Sequence, residues 1–255
     1  MMGVKGKRIL VTGSSRGIGR AIAKTMAEQG AIVIVHGSRP GENLEQSFEE
    51  VRAFSPQSIK VTASLSEETE VTAMFDTIGK KLQGLDVLVN NAAAQNPGGF
   101  LDLSLEDWDY VLAVNLRAPF LCGQLAGRMM KAQGKGGKII NISSVHSREP
   151  RRNFAHYSSA KGGLEQLTRC MALELADYNI QVNALTLGAI ATELTPDDRV
   201  GAISTAIPAG RVGTVEEVAN LAAFCASDDC NYLTGSCITL DGGLTLGFCA
   251  SRRDL

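Results

Sequence analysis

The sequence has no apolar run near the roughly 18 residues that suggest a membrane-crossing helix. It also lacks a Pro-, Gly- or Ser-rich linker, a block of one charge, an internal repeat and a low-complexity stretch. Its six cysteines (122, 170, 225, 230, 237 and 249) form no C-x-x-C pair and have no accompanying histidine ligand spacing. No metal site is expected, and a reduced compartment is the simplest account of them. The net charge of −2 gives no electrostatic reason to expect nucleic acid or a membrane surface as a partner. The opening MMGVKGKRIL runs straight into a strand, leaving no room for the apolar region of a signal peptide. These absences lead us to expect a soluble, cytoplasmic protein with one domain over 1–255, whose 44% apolar residues supply a sizeable core.

Two local motifs stand out. Thr12-Gly13-Ser14-Ser15-Arg16-Gly17-Ile18-Gly19 follows an apolar strand and opens a helix over 18–29, the setting a dinucleotide fingerprint requires. The glycines allow a sharp turn and close backbone approach, and the helix N-terminus offers free N–H groups to a pyrophosphate. Gly13, Ser15, Arg16, Gly17, Ile18 and Gly19 are therefore candidate cofactor contacts. The second motif lies between Ile139 and Gly163. Tyr157 and Lys161 are four apart and share one face if that part is helical. An ammonium within a few ångströms favours a phenolate, bringing a group that titrates near pH ~10 into working range as a base. Ser144 ends the run KIINIS, a buried strand by its pattern, so a hydroxyl is delivered where open α/β sheets bind ligands.

Other elements follow from pattern. Strands are expected at 31–35, 58–63, 85–90, 180–185 and 236–240, and helices at 43–54, 67–82, onward from Ser104, and through 164–176. Gly30 is a C-cap candidate, Ser104 an N-cap candidate, and Thr214 with Glu216 and Glu217 opens a further helix. Trp108 reads as core packing, and Pro119 predicts a kink in the helix that runs past Asn115. Residues 189–212, polar with two prolines, read as a substrate lid. The tip after the second strand, His36-Gly37-Ser38-Arg39, carries no acid to hold a ribose 2′-hydroxyl. With Arg16, Arg39 favours NADP by charge, and Arg39 as a solvated loop residue leaves NAD or dual use open.

At these residues the chain resembles the short-chain dehydrogenases/reductases over nearly its whole length. Thr12 to Gly19, Asn90-Asn91-Ala92, Asn115, Ser144, Tyr157 with Lys161, and Asp241-Gly242-Gly243 carry the likeness. Ser143 to His146, Phe154 to Tyr157 and Gln95 to Phe100 are most similar to the bacterial glucose 1-dehydrogenase branch. The resemblance implies a single-domain α/β Rossmann fold, an open parallel sheet with helices on both faces, and a symmetric homotetramer. It implies a catalytic set of Asn115, Ser144, Tyr157 and Lys161. It adds Ser64, Leu65, Asn91, Ala92, Gly188, Ile190 and Thr192 to the cofactor contacts, with Tyr157 and Lys161. Three positions depart from the family pattern: Ser64 for Asp, Ala93 for Gly and Leu187 for Pro.

The implied reaction is reversible hydride transfer between an alcohol carbon and nicotinamide, with C1 of a hexose oxidised to the lactone. Gln95, Asn96 and His146 suit sugar hydroxyls, and Ser144 and Tyr157 meet the substrate oxygen. Arg151 and Arg152 stand where that branch has apolar residues, with Arg148 they make three guanidiniums in a segment expected to line the pocket, and guanidinium suits phosphate, carboxylate or sulfonate. An anionic hexose such as sulfoquinovose is therefore the favoured substrate, unless those arginines face solvent or a neighbouring subunit. Two alternatives stand beside it. One is a 3-oxoacyl-thioester reductase using the same motifs, and the other is a cofactor-binding regulator without catalysis.

Overall fold

The computed structural model describes residues 3–193, 201 and 203–246. Strands β1 (Arg8–Val11), β2 (Ile32–Gly37), β3 (Ile59–Thr62), β4 (Val87–Asn90), β5 (Gly137–Ser144), β6 (Ile180–Leu187) and β7 (Cys237–Leu240) form one sheet. Its order is β3-β2-β1-β4-β5-β6-β7, with each neighbouring pair parallel. The helices are α1 (Gly17–Glu28), α2 (Glu42–Phe54), α3 (Glu68–Leu82), α4 (Leu105–Leu112), α5 (Ala118–Gln133), α6 (Ala155–Leu175) and α7 (Val215–Ala226).

Strands covered on both faces must be apolar almost throughout, which is why the inner strands read as continuous runs. Alternation divides them between two cores. Ile9, Val33, Val89, Ile140 and Leu185 pack with Ile22 and Met26 of α1 and Ala222 of α7. Leu10, Ile34, Leu88, Ile139 and Val182 pack on the other face with Phe75 and Ile78 of α3 and Met130 of α5. The chain crosses from β3 at one edge to β4 on the far side of β1, so the loops at the carboxyl ends of β1 and β4 diverge and open a crevice.

Local capping chemistry is where the sequence put it. Ser104 Oγ accepts the Asp107 N–H at 3.0 Å, and Thr214 and Glu217 cap each other reciprocally. Gly30 turns out of α1 at φ 85°. Three expectations are corrected. Strand β6 runs two residues past 185, because Thr186 and Leu187 keep pairing in register with Ser143 and Ser144. The helix through Asn115 passes through a π-turn at Ala113–Arg117, just ahead of Pro119, and does not run on as a regular α-helix. Trp108 is only half-buried. Of the segment 189–212, residues 194–200 and 202 lie outside the described residues. Among the described residues no helix is long and apolar enough to cross a membrane.

Candidate active site

The crevice is lined on one side by the glycine-rich turn, with Gly13, Ser15, Arg16, Gly17, Ile18 and Gly19 on its wall. Ser64 and Leu65 after β3, Asn91 to Ala93 after β4, and Thr192 and Glu193 after β6 complete it. Tyr110 and Val114 close it from the α4 side. Gly13 has φ +63°, and a Cβ there would stand 2.8 Å from Ala92 Cα, so the two loops meet backbone to backbone. The first turn of α1 has neither a side-chain cap nor an acidic residue, which leaves its N–H groups facing the crevice as anion donors. That cradle fits a dinucleotide pyrophosphate. Thr12 Oγ1 accepts the Asn91 and Ala92 N–H groups at 3.0 and 3.1 Å, and Asn91 Nδ2 donates to the Thr12 and Gly13 carbonyls.

His36 is a wall residue that sequence reasoning treated only as part of a loop tip. It lies in β2, and its ring bridges the neighbouring strands' ends. Nδ1 accepts the Gly13 N–H at 2.9 Å, and Nε2 donates to the Ala63 carbonyl at 3.0 Å. Only the neutral ring satisfies both contacts. Burial pushes its pKa from 6.5 to about 4, although the Ala63 contact acts in the opposite direction. A depressed histidine pKa contributes stability above pH 6.5 that is lost as pH falls towards 4. Denaturant unfolding followed across that range should therefore show an acid-side fall in stability that is shallower in His36→Asn. Equal slopes for the two proteins would remove His36 from the acid response.

The wall after β2 is formed by Ser38 rather than Arg39, which is exposed and not on it. Gly188 and Ile190 also lie off this wall. Gly188 N–H bonds to the Leu240 carbonyl, and Ile190 pairs with Gly213 in an isolated bridge. Glu193 is on the wall and ion-pairs with Arg20 at 3.6 Å, while Arg20 also donates to the Ser15 carbonyl.

The π-turn buries Asn115, whose amide grips the Ala94 backbone in both directions, at 2.8 and 2.9 Å. From α6, Tyr157 comes to the end of β5, where the Ser144 and Gln95 side chains stand close enough to act on its phenol. Phe154 stands edge-on to the Tyr157 ring at 6.1 Å, and His146 stands edge-on at 6.5 Å. The expected lowering of the tyrosine pKa is not what this geometry produces. Burial pushes the phenol up, outweighing the opposing influence of the Ser144 and Gln95 side chains. The Lys161 ammonium lies 5.6 Å from the ring centroid and donates to the Ile142 carbonyl at 2.7 Å. Its own pKa falls to about 8 because it is buried.

The other anticipated substrate groups divide. Gln95 and His146 stand at Tyr157. Asn96 donates to Asp107 Oδ1 at 2.8 Å, and its carbonyl accepts from buried His156. Arg148 is held by Glu165 at 3.0 Å rather than being free for a ligand. Arg151 lies over the Phe154 ring at 4.6 Å, and Arg152 is exposed.

A parallel doubly wound sheet with an anion cradle at its switch point defines a dinucleotide-binding enzyme class. A family model described as enoyl-(acyl carrier protein) reductase matches residues 13–245. Glucose 1-dehydrogenase 2 of Bacillus subtilis (strain 168) is 36% identical over 246 residues, 94% of this chain and 95% of that protein. The 3-oxoacyl-[acyl-carrier-protein] reductase FabG of Aquifex aeolicus (strain VF5) is 39% identical over 245 residues, covering 94% and 98%. The crystal structure of acetoin dehydrogenase YohF from Salmonella typhimurium superposes with a TM-score of 0.90 at 34% identity, covering 97% of this chain and all of that one. The chain belongs to the short-chain dehydrogenase/reductase family and is an NAD(P)-dependent oxidoreductase.

Proposed function

We propose that the protein oxidises a sugar hydroxyl, C1 of a hexose to the lactone, with NADP favoured over NAD and an anionic hexose as substrate. The observation that carries the reading is the convergence of Tyr157, Ser144 and Gln95 beside the dinucleotide crevice. The nicotinamide supplies hydride acceptance. Ser144 and Gln95 hold the alcohol oxygen, and Tyr157 takes its proton as the C–H hydride departs, leaving the carbonyl. Lys161, tied to the Ile142 carbonyl, holds a positive charge behind the phenol. Asn115 clamps the loop that leads to Gln95.

For the cofactor, the last residue of β2 is Gly37, so no acid meets the ribose at that position, while Ser38 and Arg16 are on the wall. That chemistry suits a 2′-phosphate better than a 2′-hydroxyl. For the substrate, Arg151 is one aromatic ring from the reacting phenol, with Arg152 beside it in sequence. Arg148 spends its charge on Glu165, so Arg151 and Arg152 are the groups left for a sulfonate, carboxylate or phosphate. The active form is a symmetric tetramer, a reading supported by the half-buried edge strand β7 and by exposed Phe120 and Leu173 on α5 and α6. Residues 189–212 act as the lid.

Initial rates with NAD and NADP against matched neutral and anionic hexoses test this. Arg151→Ala should raise KM for the anionic sugar about tenfold, as loss of a charged hydrogen bond does, and leave neutral glucose unchanged. Unchanged efficiency on every anionic sugar would discard the anion. Rapid reduction of an acetoacetyl thioester without sugar oxidation would instead support the acyl-thioester reductase, and cofactor binding without turnover a regulator.

A further inference from the structure

Lys161 is not the last of the α6 side chains to reach β5. Tyr157, Lys161 and Glu165 follow at intervals of four along one face of the helix. They engage the end of β5 in turn: Tyr157 with Ser144, Lys161 with the Ile142 carbonyl, and Glu165 with Ser143. The Glu165 side chain is only 4% exposed, yet its two oxygens accept from four different residues. Oε1 takes hydroxyl hydrogens from Thr186 at 2.7 Å, Ser147 at 2.7 Å and Ser143 at 3.3 Å. Oε2 takes the Arg148 guanidinium through Nε at 3.2 Å and Nη2 at 3.0 Å.

These donors come from β5, β6 and the tight turn after β5. Ser143 and Thr186 are register partners in adjacent parallel strands, so their side chains project from the same face of the sheet, towards α6. Ser147 and Arg148 lie at the far end of the turn at Val145–Ser147. The carboxylate therefore grips the segment 143–148 at both ends. Between the grips lie Ser144, Val145 and His146; the side chains of Ser144 and His146 stand at Tyr157, with the His146 N–H donating to Ser144 Oγ at 3.2 Å. A buried carboxylate with this many donors stays ionised, since they offset the burial that by itself raises its pKa.

We propose that Glu165 is a positioning residue: by holding Ser143, Ser147, Arg148 and Thr186 from behind, it sets the place of Ser144 and His146 against the substrate oxygen. The proposal rests on the oxidoreductase reading of the Tyr157 site, and it gives Arg148 an internal partner in place of a substrate anion. Glu165→Gln keeps the shape but turns one acceptor into a donor facing the guanidinium. The expected result is a fall in kcat of about tenfold together with a raised KM for the alcohol, and an unchanged dissociation constant for NADPH, as befits misplacement by a fraction of an ångström. Thr186→Val removes one donor without changing volume and should move the same two constants less, whereas Thr186→Ser should restore them. Hydrogen exchange of the peptide covering 143–148 should quicken in Glu165→Gln, with β1 and β4 unaffected.

The inference is overturned if Glu165→Gln exchanges at the wild-type rate in that peptide, or if its kcat/KM stays within twofold of wild type. It is also overturned if cofactor affinity falls in parallel, the sign of a purely structural loss. A wild-type protein that turns over no alcohol, yet shows the faster exchange in the variant, would instead sink the functional reading while leaving the grip on 143–148 in place.

Discussion

Tyr157→Phe is expected to lower kcat for alcohol oxidation by about 10²–10⁴-fold, the range spanned by a positioned general base. Removing the hydroxyl takes away the proton acceptor that the structure places with Ser144 and Gln95 at the end of β5. The ring itself should stay in place. Its contacts with Phe154 and His146 are edge-on ring contacts that phenylalanine reproduces. Cofactor affinity measured by NADPH fluorescence should change little. Because burial raises the phenol's pKa, the wild-type oxidation rate should climb with pH through the neutral and alkaline range. The variant's residual rate should not. A variant retaining more than a tenth of wild-type kcat would show that another group accepts the proton.

Lys161→Met joins a loss of activity to a change in the pH dependence of stability. The lysine is 2% exposed, and burial lowers its pKa from 10.5 to about 8. Between those values the unfolded chain binds the proton and the folded protein does not, so wild-type stability rises with pH there. At about 1.4 kcal/mol per pH unit the wild type should gain about 3 kcal/mol between pH 8 and 10.5. This contribution is present in full above pH 10.5 and is lost as pH falls through 8. The methionine variant has no such group and should lack that rise. Its catalysis should fall because it removes the positive charge that stands behind the Tyr157 ring. Urea unfolding of both proteins at several pH values tests the linkage directly. Parallel stability curves would mean that the amine is not held out of water.

The two outcomes differ in what they probe. Tyr157 tests whether the chemistry belongs to the end of β5. Lys161 tests whether the same helix face is dry enough to tune a charge. Glu165, next along that face, shows the opposite electrostatic solution, since it is buried and kept ionised by four donors.

The sequence by itself determined what depends on neighbours along the chain. Apolar runs such as KIINIS must become covered strands, the glycine-rich turn must open α1, and Ser104 and Thr214 must cap the helices that follow them. From these came the covered strands and the anion cradle, while the parallel sheet and the grouping of Tyr157 with Ser144 were what the family resemblance implied. What the tertiary structure alone decided are contacts between residues far apart in the chain but adjacent across the sheet. His36 meets Gly13 and Ala63 only because β2 lies between β1 and β3. Arg148 finds Glu165 rather than the substrate side because Ser143 and Thr186 share a register that brings α6 against them. Asn115 holds Ala94 through a π-turn that a helical pattern does not announce. The Lys161 ammonium settles on a strand carbonyl, leaving burial to govern the phenol. Periodicity specifies which face of an element is apolar, whereas strand order and register specify which polar groups meet, and a buried charge takes its pKa from those meetings.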